Sequence, residues 1–332
     1  MATALPRIRL LMGPGTLPSQ GVDRMDLARY RKSGRPQLTG AELLAAVPEI
    51  ASVANAEAAA GAPHGIATTE DLRRLALQVS EALSSADGVV FVQGTNSIEE
   101  TAYFLNLVVK SRKPVVLTAA MRPATALSAD GPLNFFNAVA VAADKNAAGR
   151  GVLVVVNDWI HDAESLTKTS TTAVQTFMSP LEGLIGTVAY GKADFYRNPI
   201  GKHTAGSEFS LQGVTALPRV DIIMAHENMD GALINAAVAA GAKGIVIAGV
   251  GNGNLTKPAV DALAAVAKKG VICVRASRVV TGRVGRNVEL EDDKLGFVAS
   301  LDKNPQKARV LLRLALLKSR SVTDVQRLFS EY

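Results

Sequence analysis

The chain holds a single cysteine, Cys273, among 332 residues. No intrachain disulfide can form, which agrees with a reducing compartment. Cys273 sits in the apolar run 270–274 and is expected in the core. Aromatic residues make up only 5% of the chain, and the net charge of +6 is spread over scattered lysines and arginines. Without a basic run or a set of stacking rings, nucleic acid is not expected as a partner. The positive balance is assigned to solubility, or to attraction of anionic small molecules. The four histidines, His64, His161, His203 and His226, follow no metal-ligand spacing, so neither a metal nor a cofactor is expected. No stretch approaches about 18 uninterrupted apolar residues, which argues against a membrane partner. Residues 1–12 lack an apolar region followed by a small-residue cleavage site, so the cytoplasm is the default location.

What is present fits an α/β enzyme. The chain is 48% hydrophobic and 20% charged, with 28 glycines, and its length allows two domains with a sizeable core. Strand-like and helix-like runs alternate, which predicts a mostly parallel, doubly wound sheet with helices on both faces. Expected strands are 8–12, 88–92, 114–118 and 151–156; expected helices are 40–54, 69–82, 96–110 and 132–144. Between 193 and 218 the pattern dissolves into Gly, Pro, Ser and His. The expected division is therefore a large domain over 1–195, a linker over 196–218 and a smaller α/β domain over 219–332. In the last, strands at 220–225, 244–248 and 271–274 alternate with helices at 232–240 and 258–268, followed by helices at 305–317 and 323–329.

The stretch around which the chain is organised runs from Phe91 to Thr101. A buried strand stops at Gly94 and a helix follows, with Ser97 and Glu100 at capping-box spacing. Thr95 thus lies at the carboxyl end of a strand and beside a helix N-terminus, where open α/β sheets place ligands. An ordinary capped βα turn has the same pattern, so the spacing leaves both readings open.

The residues Gln93-Gly-Thr-Asn-Ser-Ile-Glu-Glu-Thr-Ala-Tyr-Phe104 resemble the HGTDTxEETAYFL signature of bacterial L-asparaginases and glutaminase-asparaginases. The likeness continues through Lys113–Pro123, Asp130–Asn134 and Leu166–Thr172. It extends to Ala248–Asn254, Gly296–Ser300 and Asn304–Arg309, in the family's order. It implies an asparaginase-like two-domain fold, a small-molecule substrate, and a homotetramer built from intimate dimers with sites at the dimer interface. The family's first strand ends in T-G-G-T-I-A, whose first Thr is the usual nucleophile. Here Gly13 replaces it, Gly15 follows, and Thr16 matches the second, more structural Thr. Asn96 stands where an Asp is implied to hold the substrate's α-amine. His64 falls in the register of a serine implied to contact the α-carboxylate. Ala119 replaces a usual Gly, which would narrow the pocket. Thr95, Lys168, Asn228 and Glu289 match the family pattern, and Glu289 is implied to reach the neighbouring subunit's site. With Gly94 and Ala120 these residues complete the expected site: Thr95, Lys168 and Thr16 for catalysis, the others for substrate.

A Thr95–Lys168 pair offers a hydroxyl and, if the lysine is desolvated, a base. Lys168 tying loops together by hydrogen bonds is the competing structural role. Ser19, in the family's lid stretch, is an alternative hydroxyl, and Tyr30 falls near the lid tyrosine. His161-Asp162 reads as a polar turn after a strand. The run Gly249–Asn254 lacks the Lys-Ser/Thr of a phosphate loop and reads as a tight turn. Three functions are compatible with these residues: an amidohydrolase retuned away from free asparagine, an isomerase or decarboxylase using Lys168 and His64, and a catalytically inactive binding protein.

Overall fold

The computed structural model describes residues 4–60 and 68–332, in two compact units divided between Ser210 and Leu211. The first unit contains strands β1 (Arg7–Met12), β2 (Asn55–Ala58), β3 (Gly88–Val92), β4 (Val115–Thr118) and β5 (Val152–Val156), then β6 (Trp159–Asp162), β7 (Thr167–Lys168), β8 (Phe177–Met178), β9 (Gly186–Ala189) and β10 (Lys192–Phe195). Its helices are α1 (Gly40–Ala46), α2 (Thr69–Ser85), α3 (Ile98–Val108) and α4 (Gly131–Ala143). Eight strands form one sheet in the order β10-β9-β6-β5-β4-β3-β1-β2, and β7 pairs with β8 separately. The five strands from β2 to β5 along that order are parallel. β3, β4 and β5 are buried along their whole length, as strands covered on both faces must be.

Beyond β5 the sheet turns antiparallel, an extension the alternation of apolar runs does not predict. Asn157 and Asp158, with φ of 51° and 65°, make a two-residue turn joining β5 to β6. Tyr190 and Gly191, with φ of 53° and 72°, do the same between β9 and β10. Both turns need left-handed backbone, which Asn, Asp and Gly adopt at least cost. The expected polar turn at His161-Asp162 is thus corrected: both residues lie in β6 and are buried. Its ring Nδ1 and Ser179 Oγ are 2.8 Å apart. The helix expected over 40–54 also shortens. It ends at Ala46, and Pro48 opens a 3-10 turn, because proline breaks the helical ladder and disfavours helical backbone at Val47.

The second unit carries β11 (Val220–Met224), β12 (Gly244–Gly249), β13 (Ile272–Ser277) and β14 (Phe297–Ala299), a parallel sheet in that order. Its helices are α5 (Ala232–Ala239), α6 (Lys257–Ala267), α7 (Asp292–Leu295), α8 (Pro305–Lys318) and α9 (Val322–Glu331). Cys273 lies in the core with Ile245, Ile247, Leu263 and Phe297, and burial pushes its thiol up to about 12. At that value it is inert near neutral pH. The glycine-rich run closes as a tight turn, with reciprocal backbone bonds between Val250 and Asn254. Arg275, fully buried, clamps it from β13: Nη1 donates to Asn252 O at 2.9 Å, while Nε and Nη2 grip both oxygens of buried Asp292 at 2.7 Å.

Candidate active site

The parallel order β4-β3-β1 brings three strand ends side by side, and the loops that leave them are stitched by backbone bonds. Gly13 N donates to Val92 O at 2.7 Å, Gly94 N to Pro14 O at 2.9 Å, and Gln93 N to Thr118 O at 3.1 Å. This approach needs glycine at position 15, where a Cβ would meet Gly94 N at 2.6 Å. Gly94 is less constrained: a Cβ there would lie 3.3 Å from Pro14 O, a tight contact that a shift of a few tenths of an ångström would relieve. The strand order therefore sets Thr95 against the first loop, as the βα crossover geometry requires.

Ser97 is the N-cap of α3, but its side chain makes no capping bond, so the expected capping box does not form. With ψ at 17°, Ser97 departs from the extended backbone that aims a cap side chain at the helix N–H groups. Thr95 is buried. Lys168, on β7, donates from Nζ to Thr95 Oγ1 at 2.8 Å and to Asn96 Oδ1 at 3.3 Å. No carboxylate pairs with it among the described residues. Burial alone lowers its pKa below the ordinary lysine value, because desolvation penalises the ammonium. A carboxylate at position 96 would oppose that shift; the neutral amide does not.

Thr16 is buried with its Oγ1 2.8 Å from Tyr30 Oη, so the two form a second hydroxyl pair. Ser19 is also buried, and its hydroxyl is engaged twice, donating to Gly15 O at 2.7 Å and accepting from Gln37 Nε2 at 2.9 Å. That leaves it a structural tie of the first loop. Ala119 and Ala120 are fully enclosed; Asn134 Nδ2 donates to Ala119 O at 3.0 Å. Asp130 holds the following turn by accepting from Met121 N at 2.8 Å and Arg122 N at 2.9 Å. His64 lies outside the described residues. Asn228, with φ of 56°, and Glu289 are exposed positions of the second unit.

A cleft of about 540 Å³ opens where the first loop meets the start of α3, bordered by Gly15, Gly94, Asn96 and Ser97 and reaching Tyr30. Sequence reasoning missed several residues around it. Gln37, Arg31 and Arg35 line it, and no motif marks them. Gln93 is fully buried, with Nε2 donating to Gly94 O at 3.3 Å and Oε1 lacking a partner among the described residues. Its signal was available, since the family signature has His there.

Phe91 explains how Gly13 is accommodated. A Cβ at Gly13 would meet Phe91 Cζ at 2.8 Å, so the fully buried ring occupies the space a larger residue would need. Gly13→Thr is expected to cost about 1–3 kcal/mol by overpacking, read from chemical denaturation midpoints. Combined with Phe91→Val it should show a favourable coupling of about 1 kcal/mol or more in a double-mutant cycle. Simple additivity of the two losses would refute the steric account.

Among the described residues no group of three His, Cys, Asp or Glu side chains could hold a metal ion, and no helix is long and apolar enough to cross a membrane. Comparison with known proteins agrees with this architecture. Residues 7–201 match the family description "Asparaginase, N-terminal", and 219–329 match "Glutaminase/Asparaginase C-terminal domain". The chain is 46% identical over 333 residues to the "Probable L-asparaginase periplasmic" of Haemophilus influenzae, covering 100% of this chain and 94% of that protein. It is 44% identical to "L-asparaginase 2" of Escherichia coli, covering 100% and 94%. To the "Glutaminase-asparaginase" of Pseudomonas fluorescens it is 40% identical, covering 99% and 91%. With both domain descriptions matched in order and relatives aligned from end to end, the chain belongs to the asparaginase family.

Proposed function

We propose that the chain hydrolyses an amide, or a related acyl bond, in a substrate without the α-amine of asparagine. Lys168 is the base and Thr95 the hydroxyl. One observation carries this reading: Lys168 Nζ lies 2.8 Å from Thr95 Oγ1, with no carboxylate partner among the described residues and a lowered pKa. The relatives' names support amide hydrolysis, and Asn96 supports a change of substrate, since a neutral amide holds an ammonium group more weakly than a carboxylate does.

In the reaction, Lys168 takes the Thr95 proton while Oγ1 attacks the carbonyl carbon. The proton passes to the departing nitrogen, so ammonia leaves and an acyl ester forms on Thr95. Water then attacks the ester, gives a proton through Lys168 back to Thr95, and the acid is released. Thr95 orienting that water directly is the non-covalent form of the same step. Thr16, paired with Tyr30, is the secondary hydroxyl, and Gly13, Gly15, Gly94, Asn96, Ala120 and His64 belong to the substrate side of this reading. Asn228 and Glu289 are the remaining substrate-side residues of this reading, which expects a homotetramer of intimate dimers. A division at 1–195 and 219–332, a cytoplasmic location, and the absence of a cofactor, nucleic-acid partner or membrane partner complete the proposal.

The test is ammonia release from succinamate, asparagine and glutamine across pH. Succinamate should be turned over at least as fast as asparagine. The rate should rise with pH as Lys168 loses its proton, with its midpoint below the ordinary lysine value because its pKa is lowered. A strong preference for asparagine would overturn the role given to Asn96. Silence on every amide would favour a binding protein, for which the loss of a hydroxyl at Gly13 already speaks.

A further inference from the structure

The segment 20–37 that walls the cleft carries Arg24, Arg29, Arg31, Lys32 and Arg35 against only Asp23 and Asp26. Both carboxylates are turned onto backbone. Asp23 Oδ1 accepts from Met25 N at 2.7 Å and Asp26 N at 3.1 Å. Asp26 accepts from Arg29 N at 2.8 Å and Val22 N at 3.1 Å. None of the five cations has a carboxylate partner among the described residues. Arg31 makes no side-chain hydrogen bond there, and Arg35 uses Nη2 only for Val22 O at 3.0 Å.

Arg31 and Arg35 both line the cleft that Asn96 borders. The other polar side chains on its lining are hydroxyls and amides, namely Ser19, Gln20, Tyr30, Gln37, Asn96 and Ser97, and no acidic residue lines it among the described residues. The charged side chains on its lining are therefore two cations, with no counter-ion among the described lining residues. Guanidinium groups present paired N–H donors that match the oxygens of a carboxylate or phosphate.

We propose that Arg31 and Arg35 bind an anionic group at the end of the substrate remote from the scissile amide. The substrate class is then an amide that carries a carboxylate or phosphate and no ammonium. The inference rests on the amidohydrolase reading for its scissile bond, but the anion site stands or falls separately. A cleft lined by two arginines that have no carboxylate partner, and by no acidic residue, among the described residues is the juxtaposition that assigns it. A carboxylate from aspartate-like skeletons and a phosphate ester present the same oxygens, so the ligands tested must separate them.

Titration calorimetry of the full chain decides it, with succinamate, 3-phosphonopropanamide and the uncharged butanamide as ligands. The wild type should bind at least one of the anions about tenfold or more tighter than butanamide, as expected for a charged hydrogen-bonding contact. That preference should shrink at high salt. Arg31→Gln with Arg35→Gln should abolish it while leaving butanamide binding unchanged. The tighter anion identifies carboxylate or phosphate. Equal affinity for charged and uncharged ligands, no binding of either anion up to high millimolar concentration, or a preference that survives the double substitution would each overturn the proposal. Ammonia release is recorded on the same samples. Anion preference without ammonia sinks the hydrolase reading and leaves the anion site; ammonia without anion preference does the reverse.

Discussion

Thr95→Ala and Lys168→Met are each expected to lower ammonia release by about 10³-fold or more. In the proposed reaction the two side chains act as one unit: without the hydroxyl there is no acceptor for the acyl group, and without the amine the hydroxyl keeps its proton. The double variant should therefore be little worse than either single one. Stability should barely move, because the pair contributes one hydrogen bond of about 1 kcal/mol, equivalent to a few degrees of melting temperature. Lys168→Arg is the sharper control. It restores a cation and donors, but a guanidinium stays charged throughout the accessible pH range and supplies no base. Turnover equal to wild type in Thr95→Ala or Lys168→Met sinks the assignment. Turnover retained in Lys168→Arg would show that the lysine positions loops and does not carry the proton.

A second large effect is expected far from that pair. Arg275→Met leaves the fully buried Asp292 carboxylate without its bidentate partner and frees Asn252 O and Gly285 O. Removing one member of a buried ion pair costs about 3–5 kcal/mol, since the remaining charge stays desolvated. For a unit of this size that lowers the melting transition by roughly 10 °C or more, measured by scanning calorimetry. Arg275→Met combined with Asp292→Leu should recover much of the loss, because an apolar pair removes the stranded charge. By contrast, Lys257→Ala breaks the exposed Lys257–Asp261 pair, whose nitrogen and oxygen lie 2.7 Å apart, and should move the transition little, since water already screens both charges. A small effect for Arg275→Met would mean that β13 and α7 relax enough to hydrate Asp292.

Much of this molecule was legible in the residues alone. The buried parallel strands announce themselves as continuous apolar runs, as in Gly88–Val92 and Val152–Val156, because a strand covered on both faces has no polar side. Helices with clear stops were also readable: Asn304 and Pro305 open α8, with the Asn304 side chain accepting from Lys307 N. The strands β6, β9 and β10 were not readable by periodicity, being four residues each and mixed in character. The turns that join them did carry a signal, in Asn157-Asp158 and Tyr190-Gly191. At the site, the motif around Thr95 and the match at Lys168 could be found by resemblance, whereas the lining arginines could not, since they lie in a segment with no periodic pattern.

Which chemical groups are available can be read directly from the residues: a threonine and a lysine in family register, glycine where a nucleophile is usual, and an amide where a carboxylate is usual. Those facts are properties of single positions and need no fold. What those groups do to one another depends on the fold. Thr95 and Lys168 are 73 residues apart in the chain, yet their side chains lie 2.8 Å apart. Phe91 fills the volume beside Gly13, and the carboxylates of Asp23 and Asp26 are spent on backbone amides, so the neighbouring arginines have no counter-ion among the described residues. Contact distance, shared volume and the pairing of charges depend on which segments the sheet brings together, and strand order is set by the whole chain's burial of apolar surface.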